Sequence, residues 1–213
     1  MAVKSDREYR DMTMEVRTAE TDEAPDERKM VTGYASTFNE PYTLYEDEGW
    51  RFNEVVDARA FDNTDMSDVI MQYDHEGRVF ARMSNNTLTV IPDEKGLLIQ
   101  ADLGGTELGR QLFEEIRGGY TNKMSFGFTV DGEDYLDTKD VDGKALTVRT
   151  ITSVRKLYDV SAVSLPANDA TSTSVRSLTD GEIERIQAER LEAEALELRR
   201  RKLLARAKLN GGQ

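Results

Sequence analysis

Thr87-Leu88-Thr89-Val90-Ile91-Pro92-Asp93-Glu94-Lys95-Gly96-Leu97-Leu98-Ile99-Gln100-Ala101-Asp102-Leu103 reads as two extended segments joined by a turn. Thr87 to Ile91 and Leu97 to Leu103 are short and rich in branched or apolar side chains, and Pro92 to Gly96 supplies the residues of a hairpin loop. Working outward, the pattern recurs. Met12-Thr13-Met14-Glu15-Val16-Arg17, Val31-Thr32-Gly33-Tyr34-Ala35-Ser36-Thr37-Phe38 and Val69-Ile70-Met71-Gln72-Tyr73 are further alternating runs between turn signals. A second hairpin is expected at Asp142-Gly143, because an Asp-Gly pair tolerates the positive φ values of a type I′ turn. Many short strands at this spacing predict a mainly β fold, a compact antiparallel β-barrel closed or nearly closed, rather than an α/β sheet.

Two helices interrupt the β pattern. From Thr106 to Arg117, the side chains Leu108, Leu112, Phe113 and Ile116 share one helical face, with Thr106 as the cap and Gly118-Gly119 as the stop. The second helix starts at Thr179, whose spacing to Glu182 is that of a capping box, and is expected to end near Leu209. Acids dominate its start and Arg199-Arg200-Arg201-Lys202 its end, the order that the helix dipole favours. Asn168 to Ser177 is small, polar and aperiodic, and reads as a flexible linker. The expected organisation is therefore a β-barrel domain over 1–167, a linker over 168–178 and a charged amphipathic helical tail over 179–213. Along the tail, Ala188, Leu191, Ala195, Leu198, Ala205 and Leu209 form a stripe broken by Lys202. Such a stripe suits docking onto a partner surface, and a merely solvated charged helix fits equally well.

At 213 residues the chain can bury a real core, and its length favours one main domain with an appendage. With no cysteine and one histidine, it offers no disulfide, no thiolate nucleophile and too few ligands for a zinc site, so no cofactor or metal is expected. The N-terminal stretch is charged throughout, lacks the apolar core of a signal peptide and is followed by no long apolar run; a soluble protein used inside a cell, without a membrane partner, is expected. A formal net charge of −13 argues against nucleic acid as a ligand, since phosphate binding needs a basic footprint. The charge is uneven: residues 1–178 carry 20 Lys+Arg and 34 Asp+Glu, a balance of −14, whereas 179–213 carry 8 and 7, a balance of +1.

The candidate chemistry centres on the single histidine. A serine hydroxyl is a poor nucleophile near neutral pH unless a neighbouring base takes its proton, and imidazole suits that task. Here the base can only be His75, at the end of an apolar strand in Tyr73-Asp74-His75-Glu76-Gly77, where scaffolds commonly place working groups. Neighbours along an extended strand point to opposite faces, so Asp74 and Glu76 are badly placed to orient the ring and a third residue must come from elsewhere. In Met124-Ser125-Phe126-Gly127-Phe128, Ser125 and Gly127 share one face and the apolar residues the other. Ser125 is thus expected to point away from the core, beside a glycine that leaves room for close approach. Asp159 sits in the otherwise apolar or small strand Leu157 to Leu165, where a carboxylate is costly unless paired or exposed. Orienting an imidazole would explain it. Glu133 and Asp134 compete for that role, although their acid-rich stretch reads more simply as a solvated hairpin lacking the spacing of a calcium loop.

Taken in order, the stretches Arg7-Glu8-Tyr9-Arg10-Asp11-Met12, Gly33-Tyr34-Ala35-Ser36-Thr37-Phe38, Glu54-Val55-Val56-Asp57-Ala58-Arg59-Ala60-Phe61, Asp74-His75, the Leu108 to Gly119 helix, Met124 to Phe128 and Asp159 to Asn168 resemble the prohead, or capsid maturation, proteases of tailed bacteriophages, which are akin to herpesvirus assemblins. The resemblance implies an assemblin-like barrel and a serine endopeptidase with Ser125 as nucleophile and His75 as general base. The third triad member is a histidine in assemblins, which this chain cannot supply, and an acid in phage members where Asp159 stands. It further implies cleavage of the scaffolding region of the major capsid protein, and of the chain itself, inside the immature prohead in the host cytoplasm. A homo-oligomer, with a dimer as one form, is expected. The alternative reading is a non-enzymatic scaffold or capsid-assembly protein that binds through its helical tail.

Overall fold

Two long strands, β10 (Lys123–Lys139) and β11 (Ala145–Val163), pair antiparallel along their length and form the spine of the larger sheet. The computed structural model describes residues 7–12, 17–18, 28–164 and 179–210. Around the spine, β1 (Glu8–Met12) pairs with the first part of β10, and β5 (Trp50–Val56) and β4 (Tyr42–Glu46) continue beyond β11. The hairpin of β6 (Ile70–Tyr73) and β7 (Glu76–Arg82) joins the far half of β11 through β6. A second, four-stranded sheet has the order β2 (Arg17–Thr18), β3 (Met30–Thr37), β9 (Gly96–Asp102), β8 (Leu88–Pro92). The mainly β reading holds, and the opening hairpin is β8–β9, with Asp93 accepting from the backbone N–H groups of Lys95 and Gly96.

The closed barrel does not form. β11 is longer than any one neighbour on its second edge, so β5 pairs with Ala145–Ile151 and β6 with Asp159–Ala162, both in parallel. Parallel pairs need crossover connections in place of the tight turns that close an up-and-down barrel, and among the described residues the two sheets stay separate. They share one core nonetheless: Val31, Ala35, Leu97 and Ile99 of the small sheet join Met71, Phe126, Phe128 and Val160 of the large one. The alternating burial of β5, with Trp50, Phe52, Glu54 and Val56 buried, shows how the period of two selects the inward face.

Other expectations need adjustment. Of the expected strand Met12–Arg17, Met12 ends β1 and Arg17 begins β2, and the residues between lie outside the described ones. At the β10–β11 turn only Gly143 takes a positive φ, of 81°, so the hairpin is not the two-residue type I′ form. Helix α1 (Glu107–Arg117) is capped by Thr106, whose hydroxyl accepts from the Gly109 N–H at 2.9 Å. It buries Leu112, Phe113 and Ile116 but leaves Leu108 38% exposed, because Gly109 occupies the inward position close to the Leu103 carbonyl. The chain divides into two compact units, 1–175 and 176–213. The second contains α2 (Thr179–Asn210), whose Leu191 and Leu196 are exposed and whose Arg185–Glu189 and Glu197–Arg201 pairs lie one turn apart. The linker expected over 168–178 lies outside the described residues. Among the described residues no helix is long and apolar enough to cross a membrane.

A cluster of buried charges fastens β1 to the spine. Arg10 bonds Glu54 at 2.6 Å and Glu8 at 2.5 Å, and Arg149 bonds Glu54 at 2.6 Å, Glu8 at 2.8 Å and Glu133 at 2.5 Å. Glu133 is therefore an ion-pair partner rather than a solvated hairpin acid, while Asp134 is exposed. Burial alone would push the Glu8 carboxyl upward, but bonding to Arg149 and the charge of Arg10 outweigh it and hold it down at about 2. Glu54 is likewise held below the usual carboxylate range by the two arginines despite full burial, and the Tyr42 phenol bonded to it is pushed up. Since the folded pKa of Glu8 lies below the unfolded value, its contribution is complete above about pH 4.5 and is lost as pH falls towards 2. Acid unfolding followed by circular dichroism should accordingly show stability falling steeply across that window. Glu54→Ala, which strands two buried guanidinium groups, should cost roughly 3–5 kcal/mol in urea denaturation.

Candidate active site

The register of β10 on β11 sets Ser125 opposite Ser161 and Gly127 opposite Asp159. On the next strand over, β6 ends at Tyr73, which pairs with Glu76 of β7. That leaves Asp74 and His75 as a two-residue hairpin turn, with φ of 49° and 59°. Two successive positive φ values are the requirement of a type I′ turn, and Asp and His are among the non-glycine residues that tolerate them. Tertiary bonds hold this turn in place: the Asp74 N–H donates to the Ala162 carbonyl at 3.0 Å, and its carboxylate accepts from the N–H and hydroxyl of Ser164, each at 2.9 Å. His75 is consequently a turn residue rather than a strand end, and its ring folds back over the sheet.

The three residues expected to act together do meet. His75 Nδ1 lies 2.5 Å from Asp159 Oδ1, and Nε2 lies 2.5 Å from Ser125 Oγ. With Asp159 ionised, its carboxylate can only accept; the proton would then sit on Nδ1 and Nε2 would face the serine hydroxyl as an acceptor. Asp159 Oδ1 also accepts from the Ser161 hydroxyl at 2.9 Å. The imidazole side chain is 9% exposed, and both Ser125 and Asp159 are fully buried.

Ser125 is not the outward, solvent-facing serine that alternation suggests. Residues 124–130 of β10 are buried on both faces, because the face opposite the core is covered by side chains and the His75 turn rather than by water. The Tyr9 ring of β1 packs on the His75 ring at 4.4 Å between centroids. Ser125 Oγ donates to the Arg10 carbonyl at 2.9 Å, so that carbonyl competes with Nε2 for its single proton. Arg7 ion-pairs with Asp159 Oδ2, and its guanidinium lies over the rings of Tyr9 at 5.1 Å and Tyr158 at 4.5 Å. Among these, Ser161 was visible in the sequence as the residue two beyond Asp159 on the same strand face. The stretch Arg7 to Met12 entered the sequence reading only through the resemblance, and nothing local gave Arg7, Tyr9 or the Arg10 carbonyl a place beside β10. Among the described residues no three His, Asp or Glu side chains cluster to hold a metal ion.

This arrangement sets one imidazole between a strand hydroxyl and a buried carboxylate. The family model for the caudovirus prohead serine protease matches residues 13–185. The chain belongs to this family. It is thereby a serine peptidase of bacteriophage capsid maturation, a class whose work involves capsid proteins within the prohead. No curated protein and no solved structure matches the chain. The matched residues of this prohead protease include Ser125, His75 and Asp159 but not β1, which lies before them.

Gly127 makes the crowding tolerable. A Cβ there would lie 2.5 Å from Asp159 Oδ2, 2.8 Å from Arg7 Nε and 2.9 Å from Tyr9 Cε1, so one of these side chains would have to shift. Gly127→Ala should therefore cost about 1–3 kcal/mol of stability and displace the Asp159 carboxylate. Thermal melting, together with the shift of the one imidazole signal in the proton NMR spectrum, will measure both effects.

Proposed function

We propose that this prohead protease cleaves the scaffolding region of the major capsid protein, and its own chain, inside the immature prohead in the host cytoplasm, using Ser125, His75 and Asp159 as its catalytic triad. The observation that carries this reading is the bridging imidazole, 2.5 Å from a serine hydroxyl on one nitrogen and 2.5 Å from a buried carboxylate on the other. Ser125 Oγ attacks the scissile carbonyl as His75 Nε2 takes its proton. Asp159 holds the tautomer and stabilises the imidazolium that forms. His75 then gives the proton to the leaving amine, and a water molecule activated by the same nitrogen releases the acyl group. The alternative of a non-enzymatic scaffold protein gives no reason to bury a carboxylate, an imidazole and a hydroxyl in one line.

A fully buried Ser125 does not admit a peptide as the chain stands. On the β1 side, the backbone that must give way includes the Arg10 carbonyl that holds the hydroxyl. This fits an enzyme that stays latent until assembly. The exposed, charged helix α2 fits a delivery role, docking on helical scaffold within the shell.

Ser125→Ala should abolish processing of a co-expressed capsid protein and of the chain itself, as read by mass spectrometry, while the melting temperature stays near wild type. Continued processing by that variant would overturn the mechanism. Asp159→Asn should lower the rate more than ~100-fold, whereas Asp134→Ala should leave it near wild type. Truncation after Ser177 should preserve turnover of a peptide substrate and sharply reduce incorporation into co-expressed proheads, measured by sedimentation.

A further inference from the structure

The carboxylate of Asp159 has two oxygens, and the triad accounts for one of them. Oδ1 takes the His75 Nδ1–H and the Ser161 hydroxyl. Oδ2 is buried with the rest of the side chain and faces Arg7, which reaches it from the N-terminal end of β1. Full burial of an ionised carboxylate is expensive unless each oxygen is met by donors or charge. Arg7 is well held for that task, with its guanidinium over the Tyr9 and Tyr158 rings and its Nε beside the space that Gly127 leaves empty.

We propose, resting on the triad reading above, that Arg7 is a positioning residue of this site: through Oδ2 it fixes the orientation of Asp159 and offsets the carboxylate's charge, so that the imidazole held on Oδ1 presents Nε2 to the Ser125 hydroxyl. The residue lies before the stretch matched by the family, so the N-terminal strand supplies a part of the site that the matched residues do not contain. Among the described residues, Asp159 and Arg7 form a charged pair beside the imidazole. On β11 it meets Asp159, with Tyr158 beside Arg7; on β10 it meets the neutral Ser125; on β1 it meets the Tyr9 ring. In its own hairpin, Asp74 is bonded to Ser164 and Glu76 is exposed. Without Arg7 the uncompensated carboxylate attracts a proton onto the ring, and an imidazolium cannot act as the base. The rate at neutral pH then falls, and returns as the pH is raised.

The single histidine permits a test that does not depend on catalysis. In an untagged full-length chain carrying Ser125→Ala to prevent self-cleavage, the His75 imidazole signals are followed by NMR against pH, with and without Arg7→Met or Arg7→Lys. The expected result is an upward move of the titration midpoint by about one pH unit or more for Arg7→Met, and a smaller move for Arg7→Lys, in line with losing or keeping a cation within ~6 Å. Arg7→Gln provides a second neutral variant should Arg7→Met fail to fold, as judged from the amide spectrum. A midpoint unmoved in a folded neutral variant overturns the proposal. Processing of the capsid protein is assayed alongside: cleavage that survives Ser125→Ala overturns the triad reading alone, whereas a dead Ser125→Ala chain with an unmoved midpoint overturns only the role of Arg7.

Discussion

The antiparallel pairing of β10 with β11 is the constraint on which the molecule rests. Its register sets Gly127 against Asp159 and Ser125 against Ser161, so that a small, polar surface lies on one face and Met124, Phe126 and Phe128 on the other. A slip of one residue would exchange the faces, putting a carboxylate into the apolar core and phenylalanines where the imidazole lies. The same strand pair sets the parallel positions of β5 and β6, and β6 in turn delivers the hairpin that carries His75. Core and site are thus two faces of one register.

Strand β1 is held from both sides of its pleat. Glu8 and Arg10 enter the buried ion cluster with Glu54 and Arg149, while Arg7 and Tyr9 lie against Asp159 and His75. An edge strand with so little apolar surface would gain little from hydrophobic burial, and buried charge is a costly substitute unless every member is paired. Here pairing is dense, and it sets the Arg10 carbonyl on the Ser125 hydroxyl. Anchoring and access are consequently linked: the bonds that stabilise β1 are those that keep the Ser125 hydroxyl covered.

The turn at Asp74-His75 shows how the site uses backbone that few sequences would choose. Two non-glycine residues at positive φ are tolerated because Ser164 and the Ala162 carbonyl bind the turn from outside. In return the imidazole is held over the sheet by its backbone as well as by its hydrogen bonds, which limits the freedom lost when a reacting geometry is required.

Much of this was determined by the sequence alone. Period-two alternation and turn residues specified a mainly β chain, the β8–β9 hairpin and the Thr106 cap, since those features depend on neighbours a few residues apart. A lone histidine, a serine beside a glycine and an acid in an apolar strand pointed to His75, Ser125 and Asp159, the last because a carboxylate there is too costly to leave without a partner. The tertiary structure decided the rest. Whether the strands closed into a barrel depended on how β11 shared its second edge, and whether Ser125 met water depended on a strand more than a hundred residues away in the chain. Arg7, Tyr9 and the Arg10 carbonyl entered the site by the same long-range pairing, and Glu133 left the solvated hairpin for Arg149. Local sequence encodes which face of a strand is apolar; only the packed sheet determines what covers the other.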